Sequence, residues 1–179
     1  DHILGGCGNV VKNLYNIGVK INVISLIGKD KSGIAIMEKL EALGDTSQYI
    51  QKSVNIRTTN KMRVISDGQH IVRADWDAGG LEKKEEKNIL NYLKKAIPLS
   101  DALIISDYAK GVCSNTIVRK SIQLSKKTNI PVFVDPKGTD WTKYKGATFV
   151  TPNTKEASAV VRHFLIEDVD YELAGKQII

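Results

Sequence analysis

The sequence predicts an α/β fold: a largely parallel sheet flanked by helices, with a small antiparallel β segment inserted. Three observations predict it. Residues 102–106, 131–134 and 147–150 are short continuous apolar runs, each ending in a polar cluster, the pattern of strands covered on both faces. Stretches of helical period lie between the strand-like runs, and strand–helix alternation argues for parallel strands. Residues 45–78 break that rhythm with short alternating pieces of low apolar content, so one of their faces is exposed.

Along the chain, Gly5 and Gly6 open a tight turn before a helix that places Val10, Leu14 and Ile17 on one face and ends at Gly18. A strand follows over 21–27, closed by Gly28, Lys29 and Asp30. Ser32 is the expected N-cap of the next helix, in which Ile34, Met37, Leu40 and Leu43 keep the helical period before Gly44. Strand-like pieces at 49–51, 58–65 and 70–75, with Asp67-Gly68 as a hairpin turn, make residues 45–78 an antiparallel flap able to serve as a lid. An amphipathic helix over 82–97 carries Ile89, Leu90, Leu93 and Ile97 and stops at Pro98. Then come a strand at 102–106, a helix at 115–127, a strand at 132–134, a strand at 147–150 and a helix from about Thr154. The connection over 136–146 is too short for a crossover helix and leaves room for one helical turn near 140–144.

Composition narrows the function. A chain of 179 residues with 42% hydrophobic and 26% charged residues suits one well-buried soluble domain. No apolar run approaches the roughly 18 residues that cross a bilayer, and the start lacks the basic and apolar regions of a secretory signal. Cys7 and Cys113 form no disulfide framework or metal spacing, which points to free thiols and a cytoplasmic location. The net charge of +6 is dispersed, and the Lys/Glu mixture at 82–87 is a solvated helix face. With aromatics at 6% and no basic stripe, neither nucleic acid nor a membrane is an expected partner, and a phosphorylated metabolite fits better. The chain begins without Met and runs out at residues 175–179 with no stop signal, so a fragment of a longer protein is expected.

The strand ends hold the candidate chemistry, because ligands of open α/β sheets bind outside the carboxyl ends of the strands. Asp107 and Lys110 follow one strand; Asp135, Lys137 and Asp140 follow another. Such a Lys can neutralise charge on a transferring phosphoryl group, and such an Asp can hold Mg²⁺ or a hydroxyl, while Asp-Pro and Lys-Gly also simply make turns. Asn153 and Glu156 stand three apart at a helix start, spaced either for water-mediated Mg²⁺ binding or for a capping box. Gly5, Gly6 and Asn9 fit a ligand approached closely by backbone, or a tight turn capped by Asn9. Lys61 and Arg63 share one face of the flap, with Arg73 on the paired segment; they suit a substrate phosphate or a charged edge. His2, His70 and His163 are not placed as an evident base.

Taken in order, these residues resemble the ribokinase-like (PfkB) carbohydrate kinases. Gly5-Gly6 with Asn9, then Gly18 and Gly28, is similar to the family's amino-terminal signature, with Cys7 and Val11 departing from it. Lys61-Met62-Arg63-Val64-Ile65-Ser66, Ser106-Asp107-Tyr108-Ala109-Lys110-Gly111, Val134-Asp135-Pro136-Lys137-Gly138-Thr139-Asp140, Lys143-Tyr144-Lys145-Gly146-Ala147-Thr148 and Thr151-Pro152-Asn153 with Glu156 resemble the heptose-7-phosphate kinase branch of that family. The resemblance implies a ribokinase-like fold and transfer of the ATP γ-phosphate to C1 of a heptose 7-phosphate, on the route to ADP-heptose. It implies that Gly5, Gly6 and Asn9 hold the sugar, that Lys61 and Arg63 approach its phosphate, and that Asp107 and Lys110 line the substrate site. Lys137, Asn153, Thr154, Lys155 and Glu156 would lie at the ATP phosphates, with Glu156 meeting Mg²⁺ through water. The family's first strand and its Gly-Ala-Gly-Asp motif, whose Asp is the general base, do not occur in these 179 residues, so the chain alone is expected to be inactive. Another sugar kinase of the same family, or a non-catalytic sugar-binding or dimerisation module, are the competing readings. A homodimer through residues 45–78 is expected, since half-apolar strands that cover no core are commonly buried against a partner.

Overall fold

The structure, a computed structural model, describes residues 3–44, 46–66, 69–77, 79–161, 172 and 175. It divides into two compact units: Asp1–Tyr92 with Lys110–Val112, and Leu93–Ala109 with Cys113–Ile179.

In the first unit, helix α1 (Gly6–Asn16) is followed by strand β1 (Ile24–Gly28), helix α2 (Lys31–Glu41) and strand β2 (Tyr49–Ser53). Val11, Val23 and Leu40 form its buried centre, with Leu4, Ile21, Ile36, Leu43 and Ile50 packed around them. The inward face of α1 is therefore centred on Val11, and Ile17, expected on that face, is 75% exposed beyond the helix end. Two caps differ from expectation. Gly5 occupies the N-cap of α1 without a side-chain bond, so Asn9 sits inside the helix and caps nothing. Asp30 rather than Ser32 caps α2, accepting the Gly33 amide at 2.8 Å, because the helix starts two residues early.

The larger correction concerns residues 45–78. β2 pairs in parallel with β1, Ile24 opposite Tyr49 through Gly28 opposite Ser53, so it belongs to the parallel body. Only β3 (Asn60–Ser66) and β4 (Gln69–Trp76) form the antiparallel insertion, a two-stranded ribbon with a register shift between Val64 and Ile65. The expected Asp67-Gly68 turn lies outside the described residues. Thr58 fixes the root of this ribbon: its hydroxyl accepts the Gly28 amide at 2.9 Å, and its own amide donates to Asp30 at 2.8 Å.

Helix α3 (Lys83–Ala96) runs into a 3₁₀ turn, Ile97–Leu99, that contains Pro98. The second unit then builds a parallel sheet in the order β5 (Leu103–Ser106), β6 (Val132–Asp135), β7 (Phe149–Val150). Helix α4 (Asn115–Lys127) connects β5 to β6, capped by Ser114 Oγ on the Ile117 amide at 3.2 Å. A 3₁₀ turn, Thr142–Tyr144, fills the short connection to β7 where a single helical turn was expected, and α5 (Thr154–Val161) follows. Ile105, Val118, Ile122, Val132, Val134 and Tyr144 form the core. The apolar runs do carry apolar residues on both faces. Among the described residues, however, Ile104 and Phe149 of the opposite face remain 44% and 55% exposed, and Phe133 stacks on Phe149 at 5.1 Å.

Candidate functional site

In the second unit three strand ends converge on polar groups. At the start of α5 the capping box is real: Glu156 N–H donates to Asn153 Oδ1 at 3.0 Å and Asn153 N–H donates to Glu156 Oε2 at 3.1 Å. The other oxygen of Glu156 holds the Lys137 ammonium at 3.0 Å, reaching from the end of β6. The two readings of the Asn153 and Glu156 spacing are thus compatible, since one carboxylate serves the helix start and faces a cation. Burial would push Glu156 up, but the Lys137 ammonium and the Asn153 amide outweigh it and hold the carboxyl below its ordinary value. The same pair pushes the Lys137 ammonium up. Thr154 and Lys155 occupy the exposed first turn of α5.

Asp135 completes this end of the sheet. Its carboxylate is half-buried, forms no hydrogen bond with another described residue, and is pushed up by burial and then by the charge of Glu156. Asp140 instead turns back on its own loop, accepting from the Thr142 amide and hydroxyl.

Asp107, expected to line the substrate site, faces inward. Its side chain is 0% exposed. One oxygen accepts from the Lys143 ammonium at 2.5 Å and the Tyr144 hydroxyl at 2.7 Å, and the other from the Ala109 amide at 2.7 Å. A buried carboxylate must be paired, and these donors consume it as a structural group. Burial and the adjoining Asp107 carboxylate push the Tyr144 phenol well above its ordinary range.

The first unit carries the remaining candidates. Gly5 precedes α1 with φ −70°, and nothing lies within 4 Å of where a Cβ would sit. No local strain demands glycine there, and Gly5 gives α1 no side-chain cap. Gly6 is partly buried, and Asn9 is exposed one turn into the helix. On the ribbon, the register sets Lys61 opposite Asp75 and Arg63 opposite Arg73, so all four share one face. Arg73 is committed to Asp75 by two bonds, 2.7 and 3.0 Å, whereas Lys61 and Arg63 form no ion pair among the described residues. The opposite face carries Met62, Val64, Val72 and Trp76, each more than 40% exposed. Lys110 pairs with Asp77 at 2.6 Å beside a shallow recess bordered by Gly79, Gly80 and Gly111.

Comparison with known proteins fixes the family. The profile of the pfkB family carbohydrate kinases matches residues 2–178. The chain belongs to that family. Among curated PfkB relatives, the bifunctional protein HldE of Trichlorobacter lovleyi is 40% identical over 160 residues, covering 89% of this chain and 33% of that protein. HldE of Nitratiruptor sp. is 39% identical over 178 residues, covering 97% of this chain and 36% of its own length. The chain thus spans about a third of the curated relatives it matches. Among solved structures, the tetrameric inhibited form of Escherichia coli phosphofructokinase-2 superposes with a TM-score of 0.66 at 18% identity, over 95% of this chain and 56% of that one. A PfkB protein from Polaromonas sp. JS666 gives 0.68 at 16%, over 95% and 61%. These likenesses show that the chain shares the fold of those proteins.

Within this PfkB chain the sequence reading missed three groups that set the geometry. Lys143 and Tyr144 were visible only as part of a motif; their spacing carries no sign that both reach Asp107, 36 and 37 residues away. Asp77, the partner of Lys110, lies just beyond the ribbon, and only the folded ribbon brings it there. Among the described residues no group of three or more His, Cys, Asp or Glu could hold a metal. No helix among them is long and apolar enough to cross a membrane.

Proposed function

We propose that the chain forms the core of an ATP-dependent sugar kinase that phosphorylates C1 of D-glycero-β-D-manno-heptose 7-phosphate in ADP-heptose formation for lipopolysaccharide. The observation that carries the kinase reading is the Lys137–Glu156 pair at the first turn of α5, beside the Asp135 carboxylate, which forms no hydrogen bond with another described residue. Mutual repulsion between the Glu156 and Asp135 carboxylates is relieved by a hard divalent cation, and their oxygens suit Mg²⁺ bound mostly through water and phosphate. The Lys137 ammonium and the N-terminal turn of α5, with Asn153, Thr154 and Lys155, favour the anionic phosphates. Mg²⁺-ATP supplies the phosphoryl group and neutralises charge between its phosphates.

The HldE relatives, at 34–40% identity in the first three, support the heptose substrate. On the sugar side, Gly5 puts no side-chain cap on α1, so the Gly5-Gly6 turn is the proposed partner of the sugar hydroxyls, with Asn9 beside it. Lys61 and Arg63 are the cations of the ribbon left to meet the existing sugar phosphate, and Lys110 borders the recess. Asp107 is withdrawn from this set, because its oxygens are already bonded inside the fold. The apolar ribbon face formed by Met62, Val64, Val72 and Trp76 is the surface through which a homodimer would form. The kinase reading places the protein in the cytoplasm, where ATP and sugar phosphates are found.

An ADP-release assay over a panel of heptose 7-phosphate, fructose 6-phosphate and ribose tests the substrate, using this chain joined to a Gly-Ala-Gly-Asp segment of a family member. Preference for another sugar would refute the heptose assignment. The 179-residue chain by itself is expected to show no turnover, since the Gly-Ala-Gly-Asp motif that would carry the general base does not occur in its sequence; measurable turnover would overturn that expectation.

A further inference from the structure

We propose that Tyr144 is a positioning residue whose hydroxyl fixes the backbone of Lys137 and thereby sets the Lys137–Glu156 pair. Its value for catalysis rests on the assignment of that pair to the ATP phosphates.

The ring of Tyr144 belongs to the core with Val118, Ile122, Val132 and Val134, a place that a phenylalanine would fill equally well. The hydroxyl is what the core does not explain. It donates to Asp107 Oδ2 at 2.7 Å and accepts the Lys137 amide at 3.1 Å. The Lys137 carbonyl lies further off, at 3.4 Å, so the single phenolic proton goes to the carboxylate.

Lys137 needs such a tether. It lies beyond the last residue of β6, so its amide leaves the sheet ladder and takes the Tyr144 hydroxyl as its partner in a part-buried bond. Pro136 before it offers no N–H, and Gly138 after it sits at φ +80°, a left-handed turn that glycine adopts without strain. The only other side-chain bond to this short loop backbone among the described residues is Trp141 Nε1 on the Gly138 carbonyl, at 2.9 Å. Tyr144 is held in turn from the far side. Asp107 is anchored by its own amide on the Asp135 carbonyl at 3.0 Å, by the Ala109 amide and by Lys143, which also reaches the Cys113 carbonyl at 3.3 Å. Hydrogen bonds therefore run from the end of β5 through Tyr144 to the Lys137 amide, and from that fixed backbone the Lys137 side chain reaches Glu156 at α5. Each member orients the next, and such networks pre-organise a charged group at little further entropic cost.

The test is NMR on the ¹⁵N-labelled chain as wild type, Tyr144→Phe and Ile122→Val, each titrated with Mg²⁺-ATP. Ile122→Val takes a methyl from the same core and leaves the hydroxyl in place. In Tyr144→Phe the Lys137 amide should exchange about tenfold faster, the Lys137 ammonium signal should lose its bonded shift, and Mg²⁺-ATP should bind about fivefold more weakly. Ile122→Val should lower the melting temperature and leave all three unchanged. If Tyr144→Phe lowers the melting temperature while the Lys137 amide and ammonium behave as in wild type, the hydroxyl is merely structural and the proposal fails. Asp107→Asn disturbs the tether from its other end with the same expected direction, and decides the matter if Tyr144→Phe does not fold. If Mg²⁺-ATP moves neither Lys137 nor Glu156 in the wild type, the nucleotide assignment fails, and the exchange measurement still decides whether Tyr144 sets the pair.

Discussion

Replacing Gly33 by alanine sets two known effects against each other at one atom. Gly33 lies in the first turn of α2, where alanine would ordinarily favour the helix by about 1 kcal/mol. A Cβ there would meet the Gly28 carbonyl oxygen closer than real Cβ atoms approach, and Thr58 Oγ1 at 3.0 Å. Neither neighbour can give way freely. Gly28 ends β1 in register with Ser53 and its amide donates to Thr58 Oγ1, while the Thr58 amide donates to Asp30, the N-cap of α2. Forcing a methyl into such a site costs about 1–3 kcal/mol, and the atom to be moved here is backbone, which puts the cost at the upper end. The net expectation is a loss of about 2 kcal/mol. With a urea m-value of about 2 kcal/mol/M, the unfolding midpoint should fall by about 1 M. Gly5→Ala is the matched control, since its φ of −70° and open surroundings accept a methyl with stability within about 0.5 kcal/mol of wild type. Gly33→Ala as stable as wild type, or more so, would refute the reasoning, because helix propensity would then have beaten the contact.

Two further outcomes follow from the same geometry. Lys143→Met leaves the fully buried Asp107 without its cation; with the Tyr144 and Ala109 donors still in place the loss should be about 3 kcal/mol, and adding Asp107→Asn should recover part of it in a double-mutant cycle. Burial raises Asp30, but bonds from the Thr58 and Gly33 amides outweigh it and hold the carboxyl below its ordinary value. Its contribution is therefore present above the unfolded pKa of about 4 and is lost as the pH falls through the lower folded value, so melting temperature between pH 7 and 2 should fall less steeply in Asp30→Asn than in wild type.

Much of the fold could be read from local pattern. Helix α4 falls on residues 115–127 as the periodicity predicts, and the helical turn before β7 lies where the short connection leaves room for it. What escaped was decided by tertiary pairing. Tyr49–Ser53 alternates like an edge strand, yet it completes the parallel sheet beside β1, because Ile50 packs onto the Val11, Val23 and Leu40 cluster. Asp107 reads as a rim carboxylate, since a strand-end Asp has the same local context whether it faces a ligand or the interior. Only the arrival of Lys143 and Tyr144 from a distant turn decides between the two. Asn153 and Glu156 were legible because a capping box is local. The role of Lys137 beside them depended on β6 and α5 ending at the same place.

The carboxylate of Glu156 closes a helix start with one oxygen and holds a lysine with the other. That double employment restricts how this position can drift over generations. Loss of Lys137 alone would leave two carboxylates, Glu156 and Asp135, facing each other without a counter-ion, whereas loss of Glu156 alone would fray α5 and strand the lysine. Change at either position is therefore expected to be accompanied by change at the other, or to pass through glutamine at 156, which keeps the helix start while giving up the charge. A survey of natural variants should find residues 137 and 156 changing together even in chains that no longer handle nucleotide.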